Sequence, residues 1–208
     1  FFIAHHMSAI EGGMIITDDS ELSEMSKIVR ANGWDRNLNS QQQLKWRKKY
    51  NVKSEFFSKY TFYDLGYNLR PTEITGFLGC HQMKYLKQNL IKRQDNYKKL
   101  SSVIKENSDL IEMERSHISF LSSFAFPVLC KTEKLRDHYL KQFSGAGIEI
   151  RPMIAGNIQK QPFYTKYVNT TYEMEGTDQL HNKSFYCGNY PELTNSDLEI
   201  IMSCLTKY

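Results

Sequence analysis

Apolar residues follow two kinds of pattern along this chain. Short unbroken runs at 1–4 and 14–16 read as buried strands. Between them lie His5, His6, Ser8, Glu11 and the Gly12-Gly13 pair, which permits a tight reversal. Neighbouring residues of a strand point to opposite faces, so at most one of the two histidines is expected to face a given pocket. Downstream the period lengthens. Leu22, Met25 and Ile28 recur at helical spacing behind Ser20, the expected N-cap, with Glu21 and Glu24 in the first turn and Asn32-Gly33 as the stop. Residues 33–66 are polar with interleaved aromatics and read as one long connection, a length that often carries function. Pro71 is expected at the first position of a long helix, with Ile74, Phe77, Leu78, Leu86 and Leu90 along one side and room for a break near Asn89 before 91–104.

The pattern changes near residue 108. Strands are predicted at 110–113 and 120–129. A helix follows at 133–143, with Leu135, Tyr139, Leu140 and Phe143 as its apolar positions. Gly145-Ala146-Gly147 ends that helix and a strand begins at 148–150. A final helix carries Leu198, Ile201 and Leu205 behind Thr194 or Asn195 as cap. This strand–strand–helix–strand order indicates a small α+β domain at 108–208, set apart from 1–107.

Composition narrows the field without naming a function. At 208 residues, 40% hydrophobic and 24% charged, the chain is long enough for a sizeable core and ordinary for a soluble globular protein. A net charge of +4, spread along the chain, is too mild to argue for nucleic acid. The segment 45–50 is basic with interleaved aromatics; it reads as a short solvated helix, or as a neighbour of a nucleotide diphosphate. The four cysteines are widely spaced, so neither a zinc site nor a disulfide framework is expected. Reduced thiols, no signal peptide and no long apolar run predict a cytoplasmic protein without a membrane span. The chain opens on Phe1 inside a presumed strand, and a fragment lacking its upstream half is expected.

Several separated motifs share a resemblance. Ala4-His5-His6, followed six residues after His5 by Glu11-Gly12-Gly13, resembles the cofactor segment of the DegT/DnrJ/EryC1/StrS family, in the minority branch where His-His replaces the cofactor lysine. Gly66-Tyr67-Asn68-Leu69-Arg70-Pro71-Thr72-Glu73 resembles the family's G-Y-N-x-R-x-T-E motif. The segments from Gly147 through Arg151-Pro152, from Ala155-Gly156-Asn157 through Gln161-Pro162, and from Gly188-Asn189-Tyr190 to Thr194 resemble the sugar 3-dehydratases of that branch. The match runs from end to end. The family's phosphate-binding serine, its pyridine-pairing aspartate and its ring-stacking aromatic would all lie upstream of Phe1. Where most relatives carry glycine before the glutamate, this chain has Ile10, which fits the branch acting on GDP sugars.

The resemblance implies an α/β fold, pyridoxal 5′-phosphate (PLP) fold type I as in aspartate aminotransferase. Residues 1–107 would be the rear of the large domain with its long linking helix, and 108–208 the small C-terminal domain. It also implies PLP, or its amine form pyridoxamine phosphate (PMP), as cofactor. Histidine cannot make the Schiff base that lysine makes, so the cofactor would be held non-covalently. An imidazole, with an ordinary pKa of about 6.5, suits proton abstraction near neutrality. His5 is therefore the candidate catalytic base, with His6 turned away. The implied reaction is 3-dehydration of a nucleotide-linked 4-keto-6-deoxy sugar, GDP-4-keto-6-deoxymannose first, with glutamate restoring the amine cofactor. Asn68 would reach the cofactor phosphate of a neighbouring subunit, implying a homodimer with shared sites. Arg36, whose planar fork suits carboxylate or phosphate, is a candidate substrate contact, although it reads equally as a surface arginine; Arg151 is another. Two enzyme alternatives remain: a sugar-nucleotide aminotransferase, disfavoured because neither residue 5 nor 6 is lysine, and a CDP-sugar 3-dehydratase. The latter carries an iron–sulfur cluster on cysteines just after a Gly-Trp pair, whereas Gly33-Trp34-Asp35-Arg36-Asn37-Leu38-Asn39 places asparagines there, so no metal is expected. A non-catalytic binding protein on the same fold is the third alternative.

Overall fold

The computed structural model describes residues 5–207. The apolar run at 1–4, expected as a strand, lies outside them. The chain divides into two compact units, which among the described residues comprise 7–82 and 5–6 with 83–207.

In the first unit, α1 (Ser20–Val29) is capped by Asp19 rather than Ser20. The Asp19 carboxylate accepts from the amides of Glu21 and Leu22 at 2.8 and 3.1 Å. A charged acceptor also meets the positive end of the helix dipole, which a hydroxyl does not. The helix stops where Asn32 and Gly33 adopt φ of 60° and 87°. What read as one long connection contains α2 (Ser40–Lys49) and α3 (Glu55–Ser58). Asn39 and Gln42 form a reciprocal capping box for α2. Trp46 on α2 is almost fully buried against Ile28, Leu38 and Tyr63, and its indole N–H donates to Glu24 at 2.7 Å. The basic segment is thus an anchored helix: Lys45 pairs with Glu24, Arg47 with buried Asp35, and Lys49 with Glu21.

The run at 14–16 departs from expectation. It is irregular and exposed, Ile16 at 88%. An apolar run asks for burial but does not supply the neighbour whose backbone would complete a strand. Helix α4 (Glu73–Glu106) extends unbroken over 34 residues and contributes to both units. Pro71 precedes it, and the Thr72 hydroxyl accepts from the Thr75 amide at 3.2 Å. Asn89 does not break the helix, since a single asparagine costs well under 1 kcal/mol in a helix interior.

The second unit is built on an antiparallel sheet of β1 (Leu110–Ile111), β2 (Ala125–Cys130), β3 (Ile150–Pro152) and β4 (Ser184–Gly188), in the order β1-β2-β4-β3. α5 (Glu133–Gly145), α6 (Pro162–Tyr167), α7 (Glu175–Lys183) and α8 (Asn195–Cys204) complete it. Phe126 and Val128 of β2 and Phe185 and Cys187 of β4 alternate into one core. Tyr139 and Phe143 of α5, Leu198 and Ile201 of α8, and Tyr97, Leu100 and Ile104 of α4 close over it. The predicted helices and capping Thr194 are present, and Asp197 completes a capping box for α8. β4 was not anticipated, yet it is the strand that joins β2 to β3.

Candidate functional site

His5 and His6 belong to the second unit and sit in a bend rather than a strand, so their side chains do not alternate. Both reach the same short segment. The His5 ring lies against Phe124, centroids 5.4 Å apart. His6 Nε2 lies 2.7 Å from the Ser122 carbonyl and 3.0 Å from its hydroxyl. Phe124 in turn meets the Tyr186 ring edge-on at 6.4 Å. Phe124 and Tyr186, with Glu149, Arg151, Gly188 and Tyr190, line a cleft of about 80 Å³. The His5 ring thus packs on Phe124, one of the residues lining a small cleft whose polar lining is a carboxylate, a guanidinium and two phenols.

Arg151, on β3, is exposed and engaged with its neighbour: Nε and Nη2 donate to Glu149 Oε1 at 2.9 and 2.6 Å. That bonding raises the guanidinium pKa further above its ordinary value, with the Glu149 charge adding to it. At Gly188 the backbone packs directly beneath the Tyr190 ring, which a Cβ would push aside. Residues 189 and 190 are gripped by α4: buried Arg93 donates to the Asn189 carbonyl, and Asn96 Nδ2 donates to the Tyr190 carbonyl at 2.9 Å. Burial pushes the Arg93 pKa down, partly offset by Glu192.

Asn68 and Arg36 belong to the first unit. Asn68 forms an antiparallel bridge with Ala31, and its flanking amides are tied to the end of α1: Tyr67 N–H donates to Val29 O at 2.7 Å and Leu69 N–H to Arg30 O at 2.8 Å. Those carbonyls are the ones a helix leaves without intrahelical partners, so the segment caps α1 while α1 fixes the segment. The approach depends on glycine twice. A Cβ on Gly66 would strike the backbone of residues 32–33, and one on Gly33 would strike the Asp64 carbonyl. Asn68 Oδ1 accepts from Arg70 Nε at 3.2 Å, which commits the amide oxygen and leaves the amide nitrogen as the group able to donate. Arg36 lies over Trp34 at 3.9 Å and Tyr60 at 4.6 Å, and its Nε and Nη2 donate to the Lys59 carbonyl at 3.2 and 2.7 Å. Its remaining guanidinium edge is what an anion could meet.

His5 and Arg151 thus share a cleft-bearing unit, and Asn68 and Arg36 share the other. Sequence reasoning did not single out Phe124 or Tyr186; nothing in their spacing marks them. Asn189 and Tyr190 lay inside a motif already noted, without a role. Ile10 adopts φ of 71°, a region that disfavours β-branched residues and that glycine enters at no cost.

Residues 1–206 match the profile of the DegT/DnrJ/EryC1/StrS aminotransferase family. Over 193 residues, 91% of this chain and 48% of the relative, the sequence is 31% identical to GDP-4-keto-6-deoxy-D-mannose 3-dehydratase of Escherichia coli O55:H7. The solved E. coli GDP-4-keto-6-deoxy-D-mannose-3-dehydratase with bound hydrated PLP is similar over 99% of this chain and 52% of that one, with a TM-score of 0.85 and 29% identity. A GDP-4-keto-6-deoxymannose-3-dehydratase structure with a trapped PLP-glutamate geminal diamine is similar over 99% and 53%, with a TM-score of 0.85 and 28% identity. The chain spans about half the length of the curated relatives it matches. No helix among the described residues is long and apolar enough to cross a membrane.

Proposed function

Because this chain belongs to the DegT/DnrJ/EryC1/StrS aminotransferase family, we propose that it provides the C-terminal part of a PMP-dependent 3-dehydratase acting on a nucleotide-linked 4-keto-6-deoxy sugar. GDP-4-keto-6-deoxymannose is the substrate favoured, since the relative at 31% identity carries that sugar in its name. Glutamate is the amine donor favoured, in line with the adduct named in a related structure. The observation that carries the reading is an imidazole at position 5, packed on a ring that lines the cleft, with no lysine at 5 or 6.

The donor set suits a cofactor held without a covalent bond. Imidazole, carboxamide and guanidinium groups supply hydrogen bonds and charge for a phosphorylated ring, and none of them can anchor an aldehyde as a lysine amine does. Such a cofactor, when bound, supplies a primary amine that condenses with a keto group and a ring that withdraws electrons. His5 would serve as the base of that chemistry, its imidazole nitrogen accepting the proton whose loss accompanies departure of the sugar 3-hydroxyl. The imidazole would then hold that proton and could return it to the departing hydroxyl, which leaves as water. Arg151 offers a cation to an anionic group in exchange for Glu149, and Arg36 offers its outer edge. Asn68 would hold the cofactor phosphate of a second subunit through its amide N–H, and the working unit would then be a homodimer with shared sites.

The test is His5→Asn in the full-length enzyme, supplied with PMP, glutamate and GDP-4-keto-6-deoxymannose. Formation of the 3-deoxy product, followed by mass spectrometry, is expected to fall about 100-fold or more. Turnover at the wild-type rate would remove His5 from the reaction.

A further inference from the structure

We infer that residues 122–124 form a cradle that sets the direction of the His5 ring, with His6 as its anchor and Asn189 as its backstop. The inference rests on the role given to His5 above and names His6 and Asn189 as positioning residues for it.

Three consecutive residues are each held from outside the segment, Ser122 by His6 and both Ser123 and Phe124 by Asn189. At Ser122, the carbonyl and hydroxyl both face His6 Nε2, at 2.7 and 3.0 Å. A carbonyl oxygen only accepts, so Nε2 carries a hydrogen and that ring is held in a defined form. At Ser123, the carbonyl accepts from Asn189 Nδ2 at 2.9 Å. At Phe124, the carbonyl accepts from the Asn189 amide at 2.9 Å, while the ring faces His5. The segment precedes β2 and belongs to no strand, so these contacts stand in for the ladder that would otherwise hold its backbone.

Asn189 is fully buried and is itself held. Its Nδ2 also donates to the Arg93 carbonyl at 3.0 Å, and the Arg93 guanidinium donates back to the Asn189 carbonyl. Continuous bonds therefore lead from α4 through Asn189 to the residue whose ring touches His5. Buried polar groups of this kind keep their places because a broken bond leaves an unsatisfied partner. On the other side, His6 ties the backbone next to His5 to the same segment. A histidine otherwise chooses among several staggered rotamers. With its neighbour anchored and Phe124 against its ring, His5 keeps few of them. A base must stand about 3 Å from the proton it takes, and a misplacement of about 1 Å can cost on the order of 100-fold in rate.

His6→Ala and His6→Gln in the holoenzyme test the anchor, because a glutamine amide N–H can reach where the imidazole Nε2–H stands. His6→Ala is expected to lower kcat about tenfold or more with KM for the nucleotide sugar little changed, and His6→Gln to recover most of that loss. A second readout needs no turnover. With 15N-histidine in the same protein, the wild-type His6 ring should show a protonated Nε2, and His6→Ala should shift the His5 ring signals toward those of a freely rotating side chain. An unchanged kcat in His6→Ala, a glutamine variant as impaired as the alanine one, or an unprotonated His6 Nε2 would each overturn the cradle. If the wild-type enzyme performs no dehydration at all, the proposed reaction is what fails, and the ring signals still decide the cradle.

Discussion

A carboxylate in the interior is tolerable only when its partners outweigh the loss of water. Glu24 illustrates the balance. Burial raises its pKa, but the hydrogen bonds from Lys45 and Trp46 overcome that and leave it below the ordinary value. The unfolded chain therefore takes up this proton at a higher pH than the folded one. The stabilisation is complete above the unfolded pKa of about 4.3 and is lost as pH falls through the lower folded value. Glu24→Gln should flatten the acid limb of stability against pH, measured by urea unfolding between about pH 3 and 6, while leaving the wild type more stable near neutrality. Asp35 is buried in the same unit, with Arg47 Nε at 2.8 Å and the Tyr63 hydroxyl at 3.1 Å. Neither carboxylate was marked by the sequence as buried, because Glu24 reads as part of an acidic helix start and Asp35 as part of a polar connection.

Elements here are defined by what they meet as much as by their own periodicity. The end of α1 and the segment around Asn68 hold one another through backbone bonds, and two glycines make the approach possible. Gly66→Ala puts a Cβ into backbone that cannot rotate away, so a destabilisation of about 3 kcal/mol is expected, with a correspondingly lower Tm. A Tm within a degree of wild type would mean that the segment has room to shift. The helices at α1, α5 and α8 were legible because their apolar positions repeat at the helical period and their ends carry capping residues. Of α2 only the basic end at 45–50 was legible as a short helix, because Ser40–Lys49 exposes most of its surface and buries essentially one large residue, Trp46, which leaves no stripe to read. β4 escaped because five residues are too short to separate a strand from a loop, although Phe185 and Cys187 do alternate inward.

Across the molecule, thiol chemistry reports how the second unit closes. Burial pushes the Cys130 and Cys187 thiols up to about 12 and raises Cys204 as well, whereas Cys80 is exposed on α4. A thiolate reagent at about pH 8 should modify Cys80 rapidly and the other three only as the core opens. Their common slow rate would then equal the rate of that opening. Three different slow rates would show instead that β2, β4 and α8 open separately.

The order of residues was enough to specify the helices with a repeating apolar face, most of the helix caps, the family and the histidine pair His5-His6. These are local signals, written in spacing and in side-chain chemistry over a few turns. It did not reveal that His5 and His6 turn to one segment more than a hundred residues away. Nor did it place Arg151 and Phe124 in one cleft, or make Asn189 the link between α4 and that cleft. Those relations depend on strand order β1-β2-β4-β3 and on backbone bonds between distant segments. Any residue can supply a backbone amide or carbonyl, so such bonds leave no trace in side-chain identity until the fold brings the partners together.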